Sequence, residues 1–161
     1  MTSSLDPAPA SGPVNGSSRI RTILLASDLS PASASAEELA FELATRLGST
    51  VLLVSVIDPR GLRRPGGGYR ERVDQVRADR ESAAQEILDR GRRDHVSIRC
   101  LIWEGDPGEA IVEAAVAEAV DLVVVGSHGR RGVDRFVMGS VSERVVRTSP
   151  VPVVVARGPG T

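Results

Sequence analysis

Residues 121–156 read DLVVVGSHGRRGVDRFVMGSVSERVVRTSPVPVVVA, and the order of features in this stretch decides the fold. Leu122–Val125 is a short apolar run that ends at Gly126. A loop with Gly129 and Gly132 follows, then Gly139-Ser140 opens a second periodic segment that stops at Thr148-Ser149-Pro150. The β-branched run Val151–Val155 comes next, so the pattern is strand, glycine loop, helix, strand. Gly-x-x-Gly, nine residues, then Gly-Ser sets backbone amides at a strand's C-terminal end and at a helix's N-terminus. Bare N–H groups and the positive end of a helix both favour an anion. Without Cβ atoms a phosphate can approach the main chain closely.

The chain before this stretch alternates in the same way. Ile20–Ser27 is an apolar run, and Ser30-Pro31 supplies a helix start, N-cap then first turn. Ala36, Leu39, Ala40, Leu43 and Leu47 recur at helical spacing before Gly48. Thr50–Ile57 is a second strand, apolar apart from Ser55, as in a parallel sheet covered on both faces. Asp58–Tyr69, broken by Pro59, Pro65 and three glycines, reads as a loop. A helix over 70–90 follows, with Val73, Val76, Ala83, Ile87 and Leu88 inward, a charged outer face paired as in Glu86 with Arg90, and Gly91 closing it. His95–Trp103 is the third strand. Asp106, Pro107 and Glu109 then form a capping signature for a helix whose stripe is Ile111, Val112, Ala115, Val116 and Ala119. Strands alternating with helices predict a single α/β domain, doubly wound, with ligands held beyond the strands' carboxyl ends where strand order reverses.

Composition removes several function classes. A formal charge of −1 gives no global attraction for nucleic acid or for an anionic membrane, and an aromatic share of 2% argues against a base-stacking surface. Cys100 is the single cysteine, which excludes an internal disulfide and a cysteine metal cage and suits a reducing, cytoplasmic setting. Residues 1–18, rich in Ser, Pro, Ala and Gly, are expected to be a disordered tail ahead of a folded, phosphate-binding domain over 19–158. No apolar run approaches membrane-spanning length.

The spacing of Gly126, Gly129, Gly139 and Ser140 resembles the ATP-binding signature of the universal stress protein family. Supporting matches are ILLASDLS, VLLVSVID, EGDP, DLVVVGSHGR, GSVSERVV and PVPVVV, in the family's order and covering Ile20 to Arg157. The resemblance implies a five-stranded parallel sheet of order 3-2-1-4-5 and a homodimer through the last strand. It also implies ATP, with ADP and AMP as alternatives, bound with or without magnesium. Carried over by position, Ala26, Ser27 and Asp28 would line the base and ribose end, and Val56 would meet the adenine. Gly126 and Gly129 would approach ribose and phosphates with Ser127 and Arg130 nearby. Gly139, Ser140 and Val141 would offer amides to the phosphates, with Ser142 at the same end. The chain departs from the family at Ala26, where proline is frequent, and at Ser55, where histidine is frequent.

Several residues admit two readings. Asp28 is either a ligand of a phosphate-bound metal or of ribose, or an Asx-type turn residue. His128 has no nucleophile or orienting carboxylate assigned by spacing, so a solvated loop position fits it better than a general base. Arg131 reads as solvated. Arg60, Arg63 and Arg64 belong either to a lid or, with more support, to a solvated loop. Cys100 reads as a small buried side chain, and Trp103 as a core plug or part of a partner surface. The last strand, with Pro152, suits a sheet edge covered by a second copy or else by the tail or a loop. Three functions compete: a regulatory nucleotide-binding module read by an unidentified partner; a slow ATPase or phosphotransferase using Asp28 and a divalent metal; and a dimerisation module without ligand. No GxxxxGK[ST] motif supplies a phosphate-binding lysine, and small residues occupy the glycine positions. Both facts favour the first.

Overall fold

Apolar runs too short for helices become strands, and each is followed by an amphipathic segment long enough to return across a sheet. In the computed structural model, which describes residues 19–127 and 138–158, the elements alternate accordingly. They are β1 (Thr22–Ala26), α1 (Ala34–Leu47), β2 (Thr50–Ile57), α2 (Tyr69–Arg93), β3 (Ile98–Glu104), α3 (Pro107–Ala117), β4 (Leu122–Gly126), α4 (Ser140–Thr148) and β5 (Val153–Ala156). All pairings are parallel, and the strand order is β3-β2-β1-β4-β5, as the family resemblance implied. β1 lies beside β4, so the order reverses between Ala26 and Gly126. The predicted tail, residues 1–18, lies outside the described residues.

Alternate side chains of each strand serve opposite faces. Ile23, Leu25, Leu53 and Val124 pack with Ala40, Phe41 and Ile87 under α1 and α2. Leu24, Leu52, Val54, Val123 and Val125 pack with Ile111, Ala114 and Val145 under α3 and α4. Both clusters are nearly water-free, which is why the central strands read as continuous apolar runs. Among the described residues no helix is long and apolar enough to cross a membrane.

The structure corrects several boundaries and stripes. Gly91 does not close α2. The helix continues to Arg93, because the missing Cβ at Gly91 leaves room for Ile98 and the helix can press against β3. β3 therefore starts at Ile98, after a reversal at His95 with φ 56°. Ser30 makes no side-chain cap; Pro31–Ser33 forms a 3-10 turn before α1. The buried stripe of α1 is Ala36, Glu37, Ala40, Phe41 and Ala44, which leaves Leu47 exposed. On α2, Ala84 is buried where Ala83 was expected, and Arg90 turns to Glu37 of α1 and not to Glu86. On α3, Val116 is 59% exposed and Ala110 and Ala114 take the inner positions. Pro152 precedes β5, and its carbonyl accepts the Val123 amide at 2.9 Å.

The central strand pair is pinned at its start by Asp121, whose Oδ2 accepts the Arg21 and Thr22 amides at 2.8 and 3.0 Å. Those two backbone donors hold its carboxyl below the usual range. A depressed folded value means stability that is present above the unfolded pKa of about 3.9 and lost as pH falls through the lower folded value. Asp121→Asn is therefore expected to lower the urea midpoint at neutral pH, with the gap from wild type narrowing below about pH 4. An equal gap at neutral pH and at about pH 2.5, measured by paired urea melts, would count against that linkage.

Candidate functional site

The two halves of the glycine signature meet at the carboxyl ends of β1 and β4. The Ser127 amide donates to the Ala156 carbonyl at 2.8 Å, extending the ladder one residue past β4. The Ser127 carbonyl then accepts the Gly139 amide at 2.8 Å, and the Gly126 carbonyl accepts the Ser142 hydroxyl at 2.5 Å. Two bonds therefore clamp the start of α4 to the end of β4. Gly126, Ser127, Gly139, Ser140, Val141 and Ser142 lie together at this junction. Gly129 and Arg130 lie outside the described residues, as do His128 and Arg131.

The roles within this group differ from the expectation in two places. The Gly139 amide was expected to face a phosphate, but here it is spent on Ser127. The Ser142 hydroxyl is buried on Gly126, where it ties the first turn of α4 to the end of β4. What the helix leaves over are the amides of Ser140, Val141 and Ser142. They precede the first intrahelical bond, from the Glu143 amide to the Gly139 carbonyl at 2.9 Å, and among the described residues no side chain caps α4. α3 makes the contrast: Asp106 accepts the Gly108 and Glu109 amides at 3.1 and 3.3 Å, so its own carboxylate fills its N-terminus. Within one fold, one helix carries its own anion and its neighbour does not.

Across the reversal, Ala26 ends β1 and packs with Val56 and Trp103 in the cluster beneath α3 and α4, so Trp103 serves the core. The Ser27 amide donates to the Val54 carbonyl at 3.1 Å, and the Ser27 side chain turns inward. Asp28 Oδ1 accepts from the Ser30 amide, the Ser30 hydroxyl and the Ser33 hydroxyl at 3.0, 2.6 and 2.8 Å. This is the Asx-type turn, one of the two readings left open by the sequence. Ser33 also accepts the Asp28 amide at 3.2 Å.

Sequence reasoning missed two residues here, Glu37 and Ser33, and the partners of a third, Arg60. Glu37 is buried against Ser27 and Arg90; its place one turn before Phe41 was the available signal. Ser33 buttresses Asp28, and the Ser-x-x-Ser after Asp28 hinted at it. Arg60 bridges Asp58 at 2.8 Å and Asp106 at 3.0 Å, joining the loop after β2 to the start of α3. The arginine holds the Asp58 carboxyl below its ordinary range. Arg63 lies over the Tyr69 ring, 5.7 Å from its centroid. In β2, the fully buried Ser55 hydroxyl receives a guanidinium hydrogen bond from Arg80. Burial pushes the Cys100 thiol up, away from the reactive thiolate.

Comparison with known proteins identifies the fold and the family. Universal stress protein MJ0531 of Methanocaldococcus jannaschii is 30% identical over 149 residues, covering 90% of this chain and 86% of that one. A universal stress protein of Thermus aquaticus is 32% identical over 148 residues, 85% of this chain and 98% of its own. The solved structure of protein MJ0577 superposes with a TM-score of 0.81 at 26% identity, covering 89% of this chain and 99% of that one. The fold is also shared with a universal stress protein in complex with cAMP, at TM-score 0.66 and 23% identity over 87% of this chain and 98% of that one. The Archaeoglobus fulgidus universal stress protein in complex with dAMP gives 0.64 and 21% over 85% and 97%. Residues 19–157 match the universal stress protein family as a whole, and the chain belongs to that family.

Proposed function

We propose that this protein is a regulatory module that binds an adenine nucleotide, ATP in the first instance, in the crevice between the carboxyl ends of β1 and β4. The observation that carries the reading is the Gly139-to-Ser127 hydrogen bond, which sets the uncapped start of α4 against the end of β4. Phosphates would take the Ser140 and Val141 amides, with Gly129 and Arg130 completing the seat. Ribose and base would lie toward Asp28, Ala26 and Val56. Support at the level of fold comes from the family members that hold cAMP and dAMP. Magnesium, where present, would neutralise the phosphates and take its remaining ligands from water.

Turnover has weaker support, because Asp28 Oδ1 is committed to three donors within its own turn. β5 ends the strand order, and its outer border suits a second copy of the chain in an antiparallel pairing. A cytoplasmic site of action and a protein partner that reads the nucleotide state complete the proposal.

Calorimetry with ATP, with and without magnesium, is expected to show one site per chain with a dissociation constant below about 1 mM. Phosphate release is expected to stay at the buffer rate. Absence of heat at several millimolar ATP would reject binding, and saturable release lost in Asp28→Ala would favour the enzyme.

A further inference from the structure

Glu37 is a carboxylate 8% exposed on the inner side of α1, where burial penalises a charge unless it is compensated. Compensation comes from two elements. Its Oε1 accepts the Ser27 hydroxyl at 3.0 Å, and its Oε2 lies 3.5 Å from Arg90 Nη2 of α2. The second contact is Coulombic, since Arg90 Nη2 has no hydrogen-bond acceptor. The guanidinium is held in place by the Phe41 ring, 4.4 Å from its centroid.

The Ser27 oxygen also accepts the Leu29 amide, at 3.0 Å. Leu29 sits at φ 61°, a conformation that a branched side chain adopts only under constraint. A hydroxyl has one proton, and the group that accepts it fixes where the lone pairs point. With Glu37 taking the proton, the lone pair meets the Leu29 amide. The left-handed turn that follows carries Asp28.

We propose that Glu37 is a positioning residue of the nucleotide crevice: its buried carboxylate, balanced by Arg90, orients the Ser27 hydroxyl that holds the Leu29 turn and thereby sets Asp28. The proposal rests on the reading of the crevice as a nucleotide site. The chain of contacts ends at β1, so it governs the ribose and base end and leaves the α4 seat alone.

The test is calorimetry on the full chain with two probes, ATP and inorganic tripolyphosphate. Glu37→Leu is expected to weaken ATP about tenfold and to leave tripolyphosphate unchanged. Glu37→Gln keeps an oxygen for the Ser27 proton and is expected to stay within about threefold of wild type. Ser27→Ala is expected to lose as much ATP affinity as Glu37→Leu, and the double variant no more than either alone. A role confined to stability would move the urea midpoint and spare both probes. Glu37→Leu within about twofold of wild type for ATP, or equal losses for both probes, would overturn the proposal. If Glu37→Leu fails to fold, unaltered ATP affinity in Ser27→Ala overturns it instead. Wild-type protein that binds no ATP overturns the nucleotide reading itself, an outcome visible before any variant is measured.

Discussion

Gly91→Val is expected to lose about 3 kcal/mol or more of stability, and Gly91→Ala a smaller amount. A Cβ built at Gly91 would lie 2.4 Å from Ile98 Cγ2 and 3.3 Å from both Ile98 Cβ and the Val96 carbonyl. Ile98 cannot step aside freely. Its side chain is branched at Cβ and stiff, and its backbone is paired to Val51 in the β2–β3 ladder. Replacing a helical glycine by alanine gains up to about 1 kcal/mol of helix propensity, whereas overpacking a tight contact costs about 1–3 kcal/mol. The second effect should win for alanine by a small margin. Valine adds two methyl groups to the clash without the propensity gain, so its loss is large. Ile98→Ala is expected to cost less in the Gly91→Ala background than in wild type, because there it also removes the atom in the way. Urea melts of wild type, the two Gly91 variants, Ile98→Ala and the double variant decide the matter, and a Gly91→Ala protein more stable than wild type would show that β3 yields.

That glycine also shows where sequence patterning stops being legible. Gly48 and Gly91 look alike on paper, each following a periodic helical segment. Gly48 is a left-handed C-cap at φ 67°, and its role follows from backbone freedom, which is local. Gly91 is helical, and its role is to make room for Ile98, seven residues on in β3. Local chemistry was readable wherever it is self-contained: Thr50–Ile57 as a buried strand, Asp106 as an N-cap, Gly139-Ser140 as a helix start. Strand order was readable only through likeness to a family, since an apolar run does not name its neighbour.

The same limit applied to the site. Gly126, Ser127, Gly139 and Ser140 could be found because glycine and helix-start chemistry advertise bare amides. Glu37 could not be weighed, because a glutamate after an alanine in an amphipathic helix looks solvated. Its burial depends on Arg90, which arrives from α2 more than fifty residues later. Val116 failed in the opposite sense: an apolar residue in register with the stripe of α3 was left 59% exposed, because α3 packs through its alanines.

Gly139→Asp is expected to abolish ATP binding, a loss of about a hundredfold or more, while leaving stability equal or slightly raised. Gly139 is the N-cap of α4 with φ −60° and ψ 147°, which any L residue adopts, so the backbone does not require glycine there. α3 shows what a carboxylate does at this position. The Asp106 side chain accepts the amides two and three residues on. At Gly139 the equivalent amides belong to Val141 and Ser142. An introduced carboxylate would reach them from within the chain, at an effective concentration no free nucleotide matches, and would repel the phosphates by its charge. Capping by aspartate in place of glycine gains a few tenths of a kcal/mol, with a similar favourable term from the helix dipole. Binding and stability should therefore move in opposite directions, which no general damage to the fold can produce. Gly139→Ala serves as the control: it leaves the α4 amides uncapped, so its loss of ATP affinity should be much smaller. If Gly139→Asp binds ATP within about threefold of wild type, the start of α4 is not where the phosphates sit.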